Sequence, residues 1–278
     1  MARTAKFDVP TDTSQFTALQ LQPKTLLSLS WNGYARWLKE NIFSFPSLIK
    51  DHQFGTVILG IDIDYQQPLG FFDADALDVE VEVGVRRAGS RLELNVGFSA
   101  GGNQTAHVRI LLCPLEIIDP QSLGAVPTTV PEAIMAKFLP DEVDETSPSR
   151  TVPGLLSDIQ ESGRFLAECS DQFTVHHHLC EVAEQWSFIE VPGIVESVRE
   201  PMALDRHEQI PELRQSLDQR IRTISVELNQ PYFVFESGQV ETKAYLWRER
   251  LVFVHRLLSG RFDGEVHGTI IEQFSEKA

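Results

Sequence analysis

The sequence predicts an α+β fold made of two similar halves, each with an antiparallel sheet wrapped round one long helix. The first observation is a repeat between IDYQQPLGFFD (63–73) and VELNQPYFVFE (226–236). Both contain Gln-Pro, an aromatic residue and an acid at a constant offset of 163, at Gln67 and Gln230, Pro68 and Pro231, Phe72 and Phe235, and Asp73 and Glu236. The second observation is that each motif lies within the same predicted order of strands and helix.

In the first half we predict a strand over 14–27 and then a helix over 30–51. Tyr34, Leu38 and Ile42 form an apolar stripe at helical spacing in this helix. Four strands follow, because apolar and polar residues alternate between turn residues. We expect these strands at 56–65, at 105–117 and, as a pair joined by a short turn, within 76–98.

The second half repeats this order with a strand over 171–182 and a helix over 188–202. Pro192 fits the first turn of that helix, where its missing N–H matters little. The strands are expected at 221–229, at 266–274 and, as a pair, within 239–258. Glycine-containing turns are expected before the last strand of each half, at 101–103 and 262–265. His107 and His267 are expected at corresponding places in those last strands.

A single helix can be covered by one face of an antiparallel sheet, so each half can bury its own core. The segment between the halves is rich in Pro, Ser, Thr and acids and has one predicted short helix at PEAIMAKFL (131–139). We expect an N-terminal extension at 1–13, a first repeat at 14–120, a linker at 121–158 and a second repeat at 159–278.

Charge and composition exclude several classes of function. A net charge of −16 over 278 residues disfavours nucleic acid as a partner, because no concentrated basic patch offsets it. The first residues, MARTAKFDVP, lack the apolar region of a signal peptide, and no apolar run reaches the roughly 18–20 residues of a membrane span. Three scattered cysteines indicate reduced thiols. We therefore expect a soluble, cytoplasmic protein without a membrane partner.

Several segments resemble the thioesterase-type proteins of the hot-dog superfamily. They are NGYARWLKE (32–40), IDIDYQQPLGFFDADALDVEVEV (61–83) and SVELNQPYFVFESGQVETKAYLWRERLVFVHRLL (225–258). The resemblance implies a tandem double hot-dog, an intrachain pseudo-dimer that mimics the dimer of single-domain members. It also implies hydrolysis of an acyl thioester, on coenzyme A or an acyl carrier protein, at a single site between helix and sheet. No cofactor is expected beyond the coenzyme A or phosphopantetheine of the substrate, and a homodimer of double hot-dogs is compatible with it.

The sequence departs from the pattern of this family at the start of each helix, where an acid and Gly-His-Val-Asn are usual. Leu26 and Leu27 stand where the acid is expected in the first half, and residues 187–190 (SFIE) replace His-Val-Asn in the second. Three acids lie nearby, at Glu181, Glu184 and Glu190. A carboxylate here could activate water, and we expect Glu184 and Glu190 to be the working pair because they flank the helix start. The alternative is that they are solvated or stabilise the helix N-terminus.

Other candidates carry equally open alternatives. Asn32 could donate to the thioester oxygen or cap the helix, and Tyr34 could contact substrate or fill the core. His176 is the candidate general base. Tyr65 is a further substrate-binding candidate on the resembling segment. Basic residues expected along the pantetheine groove are Arg36, Arg248 and Arg250.

Two short sequence patterns resemble functional motifs, but neither is expected to form a functional site. If 176–178 (HHH) lies on a strand, alternate residues face opposite ways, so the run supplies at most two ligands and no metal is expected. Residues 97–101 (GFSAG) match a nucleophile motif that needs a following helix, but the sequence after them predicts a strand, so we expect a turn.

Two other functions remain open. One is dehydration, hydration or acyl transfer on a carrier-bound acyl group, in which His176 and Glu184 could act together. The other is non-catalytic acyl binding.

Overall fold

The computed structural model describes residues 2–119, 123–261 and 264–275. Its strands are β1 (Thr4–Pro10), β2 (Phe54–Tyr65), β3 (Ala76–Arg86), β4 (Arg91–Ala100), β5 (Asn103–Asp119), β6 (Gly124–Pro127), β7 (Val143–Asp144), β8 (Arg164–Thr174), β9 (Ile221–Leu228), β10 (Ser237–Trp247), β11 (Arg250–Ser259) and β12 (Val266–Phe274). The α-helices are α1 (Pro23–Asn41), α2 (Phe45–His52), α3 (Glu132–Met135), α4 (Thr151–Ser162), α5 (Val191–Arg206) and α6 (Gln215–Asp218). No helix among these residues is both long and apolar enough to cross a membrane.

The strands form one continuous sheet in the order β1-β3-β4-β5-β2-β9-β12-β11-β10-β8, with β6 added to β5 and β7 to β3. The first five strands of this order belong to the first half and the last five to the second. Outward from the β2–β9 junction, the first half has the order β2-β5-β4-β3-β1 and the second half has the equivalent order β9-β12-β11-β10-β8. The sequence predicts two sheets, one for each half. The two sheets are instead parts of one continuous sheet, because β2 and β9 pair edge to edge.

The β2–β9 junction is symmetric in register. Ile61 lies opposite Val226, and Ile63 lies opposite Ile224. Asp62 lies opposite Ser225, and these two residues also occupy equivalent positions in the two repeats. The Ser225 hydroxyl donates to Asp62 Oδ1 at 2.9 Å. The junction is called the seam below.

Helices α1 and α5 cover the inner face of the sheet, α1 against β3 and α5 against β10 and β8. One hydrophobic core contains buried residues of both halves. In α1 the predicted stripe is buried: Tyr34 and Leu38 are 1% and 3% exposed, and Trp37 between them is fully buried. The helix therefore packs as its periodicity predicts.

The beginning of the first half differs from the prediction. The expected strand over 14–27 is a loop up to residue 22 and the beginning of α1 from Pro23, and the edge strand β1 lies instead within the predicted N-terminal extension. Pro23 is the first residue of α1, a position where its missing N–H needs no partner. The predicted helix over 30–51 is two helices, since Ser44 caps a new helix by accepting from the Ser47 N–H.

The first strand of the second half lies earlier than the predicted 171–182, because β8 begins at Arg164 and ends at Thr174. Helix α5 is shifted to 191–206, with Pro192 in its first turn as expected. The strand predictions from 56 to 117 and from 221 to 274 are confirmed to within a few residues in the described parts. Gly101 and Gly102 form the β4–β5 turn at φ of +57° and +82°, conformations that favour glycine.

The segment between the halves packs against the sheet. The predicted short helix is present as α3, and β6 and β7 extend the first-half sheet. Helix α4 buries Val152 and Ile159 on the outer face, against Trp247, Val252, Val254 and Ile271. The predicted repeat boundary at 120 and two residues of the predicted turn at 262–265 lie outside the described residues.

Candidate functional site

A pocket of about 130 Å³ opens at the seam, next to the N-terminal end of α5. Both halves contribute to it: the first half through α1 and β2, and the second through the loop before α5 and the ends of β9, β11 and β12. Its lining residues are Trp31, Thr56, Val57, Ile58, Leu59, Glu181, Gln185, Trp186, Phe188, Val191, Leu228, Asn229, Gln230, Pro231, Tyr232, Leu257 and His267. The second Gln-Pro motif of the repeat is therefore part of its wall.

Aromatic rings build much of that wall. Trp31 of α1 packs edge-on against Phe188 with ring centroids 5.3 Å apart, which joins the first-half helix to the second-half loop. Trp186 packs against Tyr232 at 5.6 Å, and Tyr232 packs against the His267 ring at 4.3 Å. Such contacts hold the walls rigidly around an apolar space.

A tight loop positions Glu181 and Trp186. Cys180 and Trp186 form an antiparallel bridge, and the Trp186 N–H donates to the Tyr232 carbonyl oxygen at 2.8 Å. Glu184 adopts φ of +56° at the tip, where the chain reverses. The loop is thus fixed to the Gln-Pro segment by backbone bonds.

The Glu181 carboxyl group has an environment suited to a base. The Ser187 hydroxyl donates to Glu181 Oε1 at 3.0 Å. Although the residue as a whole is exposed at the pocket mouth, the protein around its carboxyl group desolvates it. This desolvation raises the pKa of Glu181, and the Ser187 hydrogen bond opposes the rise only in part. A carboxylate with a raised pKa accepts a proton more readily near neutral pH.

His267 is buried against the pocket wall, and neither ring nitrogen has a hydrogen-bond partner among the described residues. The nearest acid is Glu265, whose Oε2 lies 3.9 Å from His267 Nε2, beyond hydrogen-bond distance. Trp186 Nε1 is likewise buried without a partner in the described part of the chain. Each buried polar group left in this state costs about 1–3 kcal/mol. Such groups on its lining make this pocket a candidate ligand site.

The matching site in the first half has different polar groups. Gln20, the counterpart of the pocket-lining Gln185, is buried, and its side-chain polar atoms also have no hydrogen-bond partner among the described residues. Equivalent backbone hydrogen bonds identify the counterparts: Thr105 for His267, Leu21 for Trp186, Leu69 for Tyr232 and Thr17 for Glu181. Thr105 is satisfied, because its hydroxyl donates to the Phe98 carbonyl oxygen at 3.1 Å. Tyr65 stands where Leu228 lines the pocket, and its hydroxyl donates to the Leu21 carbonyl oxygen at 2.8 Å. The first-half site is closed by its own side chains.

These bonds also correct the alignment of the two histidines. The N–H groups of residues 66 and 67 donate to Thr105, and those of residues 229 and 230 donate to His267. His107 therefore corresponds to Thr269 and not to His267. It is half-buried near Asp64, and desolvation lowers its pKa.

None of the predicted site residues lines the seam pocket. Glu190 is paired with Lys24 of α1, Nζ to Oε1 at 2.8 Å, and Glu184 is exposed at the loop tip. Asn32 lies in the middle of α1, not at its start, and accepts from Arg36 Nε at 2.9 Å. His176 is exposed in a loop, not on a strand, with its ring stacked on that of His178. Neither Asn32 nor Glu190 is thereby placed to contact a substrate in this pocket.

The predicted substrate-binding residues are also elsewhere. Tyr34 and Tyr65 are buried core residues, each 1% exposed. Arg36 lies over the Phe7 ring, 4.3 Å from its centroid. Arg248 and Arg250 flank the β10–β11 turn, and Arg250 is seven residues along β11 from Leu257, or about 23 Å in an extended strand. The described residues contain no cluster of three His, Cys, Asp or Glu that could hold a metal ion.

Comparison with solved structures identifies the fold. The chain is similar to a protein assigned as an oleoyl thioesterase from Lactobacillus plantarum, with a TM-score of 0.74 and 10% identity over 99% of this chain and 96% of the other. It is also similar to the 12:0-ACP thioesterase from Umbellularia californica, with a TM-score of 0.71 and 9% identity over 99% and 94%. An acyl-ACP thioesterase from Bacteroides thetaiotaomicron gives 0.65 and 12% over 98% of both chains.

The chain has the hot-dog thioesterase fold. The predicted resemblance to this superfamily is confirmed at the level of the fold, over nearly the full length of each structure. No family model matches the sequence, and no curated protein is similar to it in sequence. The assignment of the fold therefore depends on three-dimensional similarity and on the internal repeat.

Proposed function

We propose that the protein hydrolyses an acyl thioester in the seam pocket. The observation that carries this proposal is the convergence of Glu181, Trp186 and His267 on one apolar pocket at the start of α5. An acyl group would occupy the apolar space, and its carbonyl oxygen would give the buried donors the partner they lack. The thioesterase names of the structural neighbours support the same chemistry.

In the proposed reaction Glu181 removes a proton from water, and the water oxygen bonds to the thioester carbonyl carbon. The oxygen that becomes negatively charged accepts a hydrogen bond from Trp186 Nε1–H, from a ring N–H of His267, or from both. The partial positive charge at the N-terminus of α5 favours the same state. The C–S bond then breaks, the acid is released, and the leaving thiolate takes the proton.

We further propose that the two halves form an intrachain pseudo-dimer with one working site. The matching strand orders and the symmetric seam support the pseudo-dimer. The Tyr65 side chain in the first half and the open pocket in the second support a single site. We propose no cofactor of its own: coenzyme A or the phosphopantetheine of a carrier protein would enter as part of the substrate. All three cysteines are free, which supports a reducing compartment such as the cytoplasm.

The test is release of free thiol from a panel of acyl-CoA and acyl carrier protein substrates. Glu181→Gln removes the proposed base and should lower the rate by at least about a hundredfold. Glu190→Gln is the matched control, since Glu190 is a paired acid outside the pocket, and it should leave the rate within about twofold. Because the pKa of Glu181 is raised, the wild-type rate should increase as pH rises through that pKa.

Equal rates for the two variants would remove Glu181 from the mechanism. If the folded protein releases no thiol but is stabilised against heat by acyl-CoA, the non-catalytic binding alternative replaces hydrolysis.

A second candidate function is dehydration or hydration of a carrier-bound acyl group. The observation that favours it is that His267 and Glu181, a histidine and an acid, line the same pocket. Hot-dog dehydratases use such a pair, and this pair would replace the predicted His176 and Glu184. Mass spectrometry of a 3-hydroxyacyl-CoA substrate separates the two functions, because dehydration removes one water and leaves the thioester intact.

A further inference from the structure

Four polar side chains form a connected chain in the interior of the second half. Arg199 Nη1 on α5 lies 2.5 Å from Glu272 Oε2 on β12, and His255 Nε2 on β11 lies 3.2 Å from the same oxygen. The Thr242 hydroxyl on β10 lies 2.8 Å from His255 Nδ1. All four are between 0% and 2% exposed. We call these residues the interior cluster.

The first half is apolar at the corresponding positions. Strand register assigns Val81 as the counterpart of Thr242, Val96 of His255 and Ile110 of Glu272. All three are fully buried. The same fold therefore packs well with only aliphatic side chains at these positions, and the cluster is not a requirement of the fold.

The interior cluster lies behind the seam pocket, in the space between helix and sheet. Leu257 lines the pocket, and His255 is the next residue along β11 on the same face. Val191 lines the pocket, and Arg199 is eight residues further along α5, or about 12 Å. Val195, which is fully buried, lies between them along the helix. A group that extends from the pocket between α5 and the second-half sheet would meet the cluster.

We propose that the interior cluster is the inner end wall of the acyl cavity and restricts the seam pocket to short acyl groups. This inference rests on the proposed function. A long methylene chain could advance only by separating Arg199 from Glu272. Arg199 would keep its contact with Glu196, but the buried Glu272 carboxylate would lose its cation, which lowers affinity by more than a hundredfold. Each methylene that finds an apolar wall raises affinity about fourfold, so more than three additional methylenes would have to be buried beyond the cluster to offset that loss. The short acyl group is therefore the favoured occupant.

The test uses the full chain and non-hydrolysable thioether analogues of butanoyl-, octanoyl- and dodecanoyl-CoA, with binding measured by calorimetry. For the wild type we expect less than a twofold gain in affinity between butanoyl and dodecanoyl. The variant Thr242→Val, His255→Val and Glu272→Ile gives the three strand positions the side chains of the first half, and Arg199→Met is added to remove the buried guanidinium. In that variant we expect dodecanoyl to bind at least about a hundredfold more tightly than butanoyl.

Buried ion clusters can often be replaced by aliphatic side chains without loss of stability, so the variant should fold. The wild-type series alone tests the proposal if it does not. Wild-type affinity that rises severalfold with each methylene would overturn the proposal that the interior cluster is an end wall, and it would leave the proposed function intact. Failure of every analogue to bind would overturn the proposed function itself. A variant that folds but keeps the wild-type preference would show that the cluster does not set chain length.

Discussion

At the scale of the residue, the informative comparison is between His267 and Thr105. The two hold the same position in the two halves, yet among the described residues only the Thr105 side chain has a hydrogen-bond partner. A buried imidazole without a partner is expected to lower stability by about 1–3 kcal/mol. Stability given up at one position, beside a pocket, is typical of a functional site.

The variant His267→Thr separates function from stability. Its hydroxyl can donate to a local carbonyl oxygen as Thr105 does, so we expect the free energy of unfolding to rise by about 1 kcal/mol. We expect thiol release to fall at least about tenfold, because a pocket donor is lost. Urea unfolding and the thiol assay measure the two effects. Thr105→Ser, the control in the closed half, should alter neither, and a His267→Thr enzyme with full activity would exclude His267 from the reaction.

The region of the site could be predicted from the sequence, but its residues could not. Three acids lie within ten residues before α5, and sequence alone favoured Glu184 and Glu190. Only the bonding of the loop to the Gln-Pro segment turns Glu181 toward the pocket and leaves Glu184 outside. His267 was visible as a polar residue in an apolar strand. Its counterpart was misassigned by two residues, because register irregularities near the start of the last strand in each half hide the true offset.

At the scale of the element, alternation and periodicity predicted the strands after each Gln-Pro motif and the buried stripe of α1. The predicted secondary structure was wrong where a second sequence signal competed with the alternation of apolar and polar residues. Residues 14–22 (SQFTALQLQ) alternate like a strand, but they form a loop because Pro23 begins α1. The prediction carries the strand through Pro23 to residue 27, whereas a proline is typical of the first position of a helix.

The buried ion pair between Arg199 of α5 and Glu272 of β12 makes the stability of the protein depend on pH. Burial alone would raise the pKa of Glu272, but the Arg199 charge and the His255 hydrogen bond outweigh it and lower the pKa from 4.5 to about 2. A carboxylate with a lowered pKa stabilises the fold above its unfolded pKa, and this contribution is lost as pH falls through the folded pKa. We therefore expect a loss of about 3 kcal/mol between pH 4.5 and about 2.

Urea unfolding at several pH values in that range measures the loss. The apolar variant of the interior cluster lacks the titrating group and should show a flatter profile. An identical acid sensitivity in the two proteins would mean that other carboxylates govern acid unfolding.

At the scale of the whole molecule, the seam and the helices hold the two halves together. Five residue pairs join β2 to β9, Lys24 of α1 pairs with Glu190 before α5, and Trp31 packs against Phe188. On the outer face, the hydroxyl of Thr151 on α4 donates to Asp62 Oδ2 on β2 at 3.0 Å. The halves therefore contact each other at several places besides their covalent connection.

Cutting the chain within the exposed residues 145–147 should leave the halves associated, because the seam and the helix contacts remain. Size-exclusion chromatography should show both fragments eluting together at the position of the intact chain. Ser225→Asp places two carboxylates directly opposite each other at the seam and should weaken this association. Ser225→Asn is the uncharged control. Fragments of the unmodified sequence that separate at micromolar concentration would contradict this account.

The pairing of Asp62 with Ser225 has a consequence for how such a molecule can change. In an assembly of two identical chains, a residue on the two-fold axis faces its own copy, so an acid at this position would face an acid. A tandem chain removes that restriction, and an acid can face the hydroxyl that binds it. The same freedom extends to the two cavities, since a substitution enters one of them and leaves the other unchanged. One cavity can therefore acquire new polar groups while the matching position in the other half keeps different side chains.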